Sequence, residues 1–179
     1  NQVYFNGVAT DNNGCEDINT PGLWEAKVYR TNVAGGATCS NDANNCYTPT
    51  VPTLNNCTGA NDLNIDYEYN VIFAAHADPT DTNAQVYSGT EWTVRVDAKD
   101  ESTNLVGNRT ATFEVVEFNA LNVTSNINFG ALNLGDNSAE QAINVSNTGN
   151  VIIDANISGT QLTWDGQGSA NIAVGQVHY

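Results

Sequence analysis

Residues 110–130 read TATFEVVEFNALNVTSNINFG, and this stretch decides the fold. Apolar side chains alternate at Phe113 and Val115, slip past Val116 to Phe118, and alternate again at Leu121, Val123, Ile127 and Phe129. That is the two-residue period of a half-buried strand. No Pro interrupts it, and no Gly precedes Gly130. The stretch predicts one strand that closes a first β module and feeds a second with almost no linker. A joint that short fixes the angle between two modules, which suits a rod better than an enzyme with a closing cleft.

Working back from the joint, the same alternation predicts strands over 90–98, 64–77, 24–30 and 1–10, separated by turns rich in Asp, Asn, Gly and Thr. Residues 31–62 form a long irregular insertion. Working forward, shorter strands are predicted at 121–129, 139–146, 151–157, 161–164 and 171–179. No segment carries helical periodicity. The expectation is all-β: two tandem antiparallel β-sandwich modules, 1–118 with its Cys-rich insertion at 31–62, and a smaller, incomplete 119–179.

Composition narrows the partners. The 179 residues include 20 acidic and 5 basic side chains, a net charge of -15. Nucleic acid and anionic membrane surfaces would meet a like-signed field, so cations and cationic surfaces are the expected partners. No apolar run reaches the roughly 20 residues that span a bilayer. Met is absent and the chain begins with Asn1, so an initiator and any signal peptide are expected to have been removed or to lie outside this sequence.

Cys15, Cys39, Cys46 and Cys57 all sit in the first third without CxxC spacing. His76 and His178 lie far from them, so two disulfides in an exported protein are a better reading than zinc. Of the three possible pairings, Cys39 with Cys46 and Cys15 with Cys57 is favoured: one closes a small loop and the other staples the insertion to the body.

The residues FGALNLG, followed by INVSNTGNVIIDANISG, resemble immunoglobulin-like modules of the abnormal-spindle and hydin type and similar repeats of prokaryotic surface proteins. Phe129, Gly130, Gly135, Asn147, Gly149 and Asn150 carry the likeness. The first module, with VATDNNGCED and WEAKVYR, also looks like modules of such surface proteins. The resemblance implies an extracellular binding or structural module and brings no active site with it.

No nucleophile elbow and no metal-binding pair of histidines is present, so no enzymatic activity is expected. A simple up-and-down tracing would bring the loop with Asp11, Asn13, Glu16 and Asp17 and the loop with Asp78, Asp81 and Asn83 to one end, beside Glu117 and Asn119. Hard oxygen donors from several loops are what Ca2+ requires. Asp97, Asp100 and Glu101 would form a second cluster at the opposite end. Lys27 falls on the polar face of its strand, which argues against a buried Lys–Asn isopeptide bond. Sequons occur at Asn56, Asn108, Asn122, Asn144 and Asn156.

The leading expectation is a subunit of a filament, pilus-like fibre or surface layer, secreted or displayed on the cell surface. Its copies join head to tail by β-strand complementation: the N-terminal segment of one, led by Val3 and Phe5, completes the second module of the next. Two alternatives are that the missing strands of the second module follow Tyr179 in a longer chain, or that the N-terminal strand completes its own module. A second class of function is an adhesin that binds carbohydrate or a protein receptor, with Trp24, Trp92, Trp164 or the Tyr residues as platforms.

Overall fold

A computed structural model describes residues 2–102, 104–133, 136–156 and 158, together with the backbone of 162–163 and 171–172. The chain is all-β, and every named ladder is antiparallel.

Two sheets face each other around one core. The first has the order β1 (Gln2–Thr10), β5 (Asn64–Ile72), β4 (Thr53–Asn55); the second has the order β3 (Cys46–Tyr47), β2 (Trp24–Arg30), β6 (Trp92–Lys99), β7 (Leu105–Phe113). Alternation dictates the faces: Ile65, Tyr67, Tyr69 and Val71 of β5 are buried against Trp24, Ala26 and Val28 of β2 and Trp92, Val94, Val96 and Ala98 of β6. The Trp24 and Tyr67 rings, one from each sheet, lie 5.1 Å apart. Gly7 on β1 faces the Tyr67 ring so closely that a Cβ would come within 2.8 Å of its Cζ, so any side chain there would have to displace the ring.

The insertion expected at 31–62 does more than decorate the body. It supplies β3 to one sheet and β4 to the other, giving each an outer edge. Strands of two and three residues have little ladder to hold them. The disulfides take over: Cys46 of β3 bonds Cys39, and Cys57, two residues beyond β4, bonds Cys15. These are the two pairs favoured from spacing.

The direction of travel differs from the simple tracing. β1 pairs with β5 from Gln2↔Ile72 to Thr10↔Asn64, and β2 pairs with β6 from Trp24↔Ala98 to Arg30↔Trp92. Hence β1 runs away from the Phe113 end and β2 runs toward it, the reverse of expectation. The reason is the insertion, which leaves β2 at the Phe113 end and enters β5 at the opposite end. It crosses the full length of the sandwich and inverts everything before it.

The N-terminal strand completes its own sheet. β1 is laddered to β5 along all nine of its residues, Val3 and Phe5 pack against the core, and the Phe5 and Tyr69 rings are 6.2 Å apart.

The opening stretch is not one strand. β7 begins earlier than predicted and ends at Phe113; a connector over 114–120 follows; and β8 (Leu121–Val123) pairs only with β9 (Val145–Asn147). β10 (Leu162–Thr163) pairs with β11 (Asn171–Ile172). The predicted strands at 121–129 and 139–146 thus shrink to three-residue partners, residues 152–156 join no named ladder, and 173–179 lie outside the described residues. Asn-rich sequence explains part of the loss. The Asn128 Oδ1 accepts the Gly130 N–H at 2.8 Å, and Asp136 Oδ2 accepts the Asn133 N–H at 3.0 Å, local bonds that compete with a ladder.

Candidate functional site

The joint is held from both sides. On one flank of the connector, Val115 is held by the loop that follows β5. The carbonyl of Val115 accepts the N–H groups of Thr80 at 2.8 Å and Asp81 at 3.4 Å, while the Val115 N–H donates to Thr80 Oγ1 at 3.1 Å. Thr80 is itself buried. The loop is anchored in turn, because the Trp92 Nε1–H donates to the Asp78 carbonyl at 2.8 Å and the Arg30 Nε–H donates to Asp78 Oδ2 at 2.8 Å. The Arg30 guanidinium lies 3.9 Å over the Tyr87 ring. Nearby, burial pushes the Tyr47 hydroxyl pKa up, against the lowering effect of the Ala74 N–H that it accepts.

On the other flank, the NTGN turn docks onto the same connector. The side chain of Asn150 bridges it: Oδ1 accepts the Phe118 N–H at 2.6 Å and Nδ2 donates to the Val116 carbonyl at 3.0 Å. Two backbone bonds add to the clamp, from the Asn150 N–H to the Phe118 carbonyl and from the Thr148 N–H to the Ala120 carbonyl, both at 3.0 Å. Asn147 Oδ1 accepts the Gly149 N–H and shapes the turn. Three of the residues singled out in the sequence, Asn147, Gly149 and Asn150, therefore form the turn that grips the joint.

Between the two flanks opens a cleft of about 460 Å³, lined by His76, Gln85 and Tyr87 on one side and by Asn150, Ile152 and Ile153 on the other. Apolar walls with a few amides and an imidazole are the chemistry of a binding cleft.

The two acidic loops expected at one end lie apart. Asp78, Asp81 and Asn83 sit at the joint, where Glu117 Oε1 accepts the Gln85 N–H at 3.2 Å. Asp11, Asn13, Glu16 and Asp17 sit at the far end, where the Cys15 N–H donates to the Asp62 carbonyl at 2.7 Å. Asp97, Asp100 and Glu101 share that far end, since β6 finishes beside Trp24. Asp11 is buried; its Oδ1 accepts the Asn13 N–H at 2.8 Å. Asp62 is exposed, and the Asn64 N–H, with the Thr58 hydroxyl and N–H, holds its carboxyl below the usual range. Among the described residues, no group of three or more His, Cys, Asp or Glu is placed to hold a metal ion.

Comparison with protein-family models, curated proteins and solved structures finds no match for this chain.

The remaining expected residues fall as follows. Trp24 and Trp92 are buried, their indole N–H groups bonded to the Ile18 and Asp78 carbonyls, so neither presents a platform; Trp164 lies outside the described residues. Asn56, Asn108, Asn122, Asn144 and Asn156 are exposed, and Asn56 Nδ2 donates to Asp66 Oδ2. Lys27, on the outer face of β2, donates to the Cys39 carbonyl at 3.5 Å. Among the described residues no helix is long and apolar enough to cross a membrane.

Proposed function

We propose that the protein is an extracellular structural subunit of a filament, pilus-like fibre or surface layer, built from two immunoglobulin-like modules and assembling head to tail. The observation that carries this reading is the connector gripped on both flanks, by Thr80 on one side and by Asn150 on the other. A tether of that kind transmits orientation from one subunit to the next. Two disulfides fit an oxidising compartment, and the acidic surface keeps the chain away from nucleic acid.

Electron microscopy of purified protein across a concentration series tests it: regular fibres or sheets are expected. A second reading, an adhesin module for carbohydrate, is favoured by the joint cleft with Tyr87 and the amides of Gln85 and Asn150. Monodisperse particles together with glycan-array hits would select it instead.

A further inference from the structure

The two facing sheets do not match in width, one having three strands and the other four. At the unmatched side β7 and β1 are both outer strands. Gly107, Arg109 and Ala111 of β7 lie opposite Ala98, Val96 and Val94, so they share the core-facing side of that sheet, yet all three are exposed. A groove of about 180 Å³ separates β7 from β1; residues 8–10 form one wall and 106–109 the other, with Trp24, Tyr67 and Val96 as its floor.

Two polar groups in this groove are left with nothing to bond. The chain has 5 basic side chains. Lys27 donates to the Cys39 carbonyl, and Arg30, Arg95 and Lys99 pair with Asp78, Asp97 and Glu25. Arg109 is the remaining one, and among the described residues it has neither an ion-pair nor a hydrogen-bond partner, although the chain carries 20 acidic side chains. The second group is the hydroxyl of Tyr67, a residue only 8% exposed, which likewise has no hydrogen-bond partner among the described residues. Gly7 explains where that hydroxyl goes. It stands directly across the ladder from Tyr67, and with no side chain at position 7 the ring lies over β1 and carries its hydroxyl toward the free side of that strand. Arg109 is near enough to offset part of the burial that raises the Tyr67 pKa. No Asp or Glu lines the groove.

The backbone at the same place is open. The ladder with β5 uses one side of β1, and QVYFNGVAT contains no charged residue, no Pro and no bulge, the devices that ordinarily close a bare edge. Unused N–H and C=O groups along a strand suit another extended backbone. A guanidinium and a phenol hydroxyl both donate, so together they suit a carboxylate.

We propose that the groove between β1 and β7 binds an extended acidic peptide segment of a partner protein. The segment adds to the free edge of β1 as a strand and sets a Glu or Asp carboxylate between Arg109 and the Tyr67 hydroxyl. Residues two places before and after that acid face the apolar floor, so the recognised pattern is an acid flanked by apolar side chains at alternate positions. Charge selects the acid, because a neutral or basic strand would leave both donors unmet. The site does not depend on the filament reading.

The test measures fluorescence anisotropy of labelled peptide TVTVEVTVT with dilute full-length protein at physiological salt. Saturable binding is expected, and binding about tenfold weaker when the central Glu is replaced by Gln, as for loss of one charge-assisted hydrogen bond. Arg109→Gln, at an exposed position, should weaken the Glu peptide by a similar factor and leave the Gln peptide unchanged; Tyr67→Phe, which keeps the ring, should act in the same sense. Hydrogen exchange should slow at β1 amides when the Glu peptide is bound. Equal affinity for the Glu and Gln peptides, or binding that leaves β1 exchange unchanged, would overturn the assignment. So would wild-type protein that binds neither peptide, which would leave Arg109 as a charge that keeps the edge from pairing. An oligosaccharide of hexuronic acid that competes as well as unlabelled peptide would replace the strand by a sugar acid. Peptide binding that disappears as the protein itself is concentrated would assign the groove to a second copy and overturn a separate partner.

Discussion

Gly149 is pressed against Phe118: a Cβ at Gly149 would overlap the Phe118 carbonyl oxygen and come within 2.8 Å of the Ala120 nitrogen. The backbone of the NTGN turn therefore reaches the connector only because position 149 has no side chain. Gly149→Ala must push the turn off, and overpacking of this kind costs on the order of 1–3 kcal/mol. Asn150→Ala removes two side-chain bonds to the connector, at about 0.5–1.5 kcal/mol each. Both variants should expose residues 114–120 to protease while leaving the β1–β7 sandwich folded. Limited proteolysis with mass mapping checks this, and unchanged cleavage at the connector would refute the clamp.

Arg30 and Asp78 form an ion pair whose side chains are only 11% and 13% exposed. Removing one partner of such a pair strands the other charge away from water. Asp78→Ala should cost about 3 kcal/mol in urea unfolding, and Arg30→Met/Asp78→Leu should recover much of it, because the desolvation cost vanishes with both charges. A single variant as stable as wild type would contradict this.

The two disulfides should contribute unequally. Cys15–Cys57 spans a sequence separation of 42 and Cys39–Cys46 one of 7. Loop-closure entropy assigns them about 4 and 2.5 kcal/mol respectively. Cys15→Ser/Cys57→Ser should therefore lower the melting temperature more than Cys39→Ser/Cys46→Ser. The reverse order would show that edge strand β3 depends on its bond more than the chain-entropy account allows.

Stability should fall in alkali. The Tyr69 hydroxyl is buried without a hydrogen-bond partner, and burial first, then Glu25, Tyr67 and Asp97, raise its pKa far above the usual value. Burial raises Tyr67 in the same direction, partly offset by Arg109. A folded pKa above the unfolded one means that the folded state holds the proton longer. The stabilisation is complete below the unfolded value of about 10 and is lost as pH rises past it. Tyr69→Phe also removes an unsatisfied polar atom, so it should gain about 1 kcal/mol near neutral pH and flatten the decline above pH 10. Denaturant titrations from pH 7 to 11.5 decide the point; a steeper alkaline decline in the variant would count against it.

What sequence alone determined is what a two-residue period can encode. Trp24, Ala26 and Val28, and likewise Trp92, Val94 and Val96, face inward because alternation is local and one face of each strand must be dry. The all-β class and the placing of Lys27 outside follow from that same period. Tertiary structure decided the rest, because direction and pairing depend on loops that have no period. Residues 31–62 cross the sandwich from end to end, and only that path puts Asp11 at one end and Asp78 at the other. Asn147, Gly149 and Asn150 read as an ordinary turn until the fold lays them on Phe118, a contact spanning 32 residues that no local pattern announces. The free edge of β1 likewise has no signature of its own, since a strand's sequence fixes its faces, whereas its open side depends on which other strand arrives beside it.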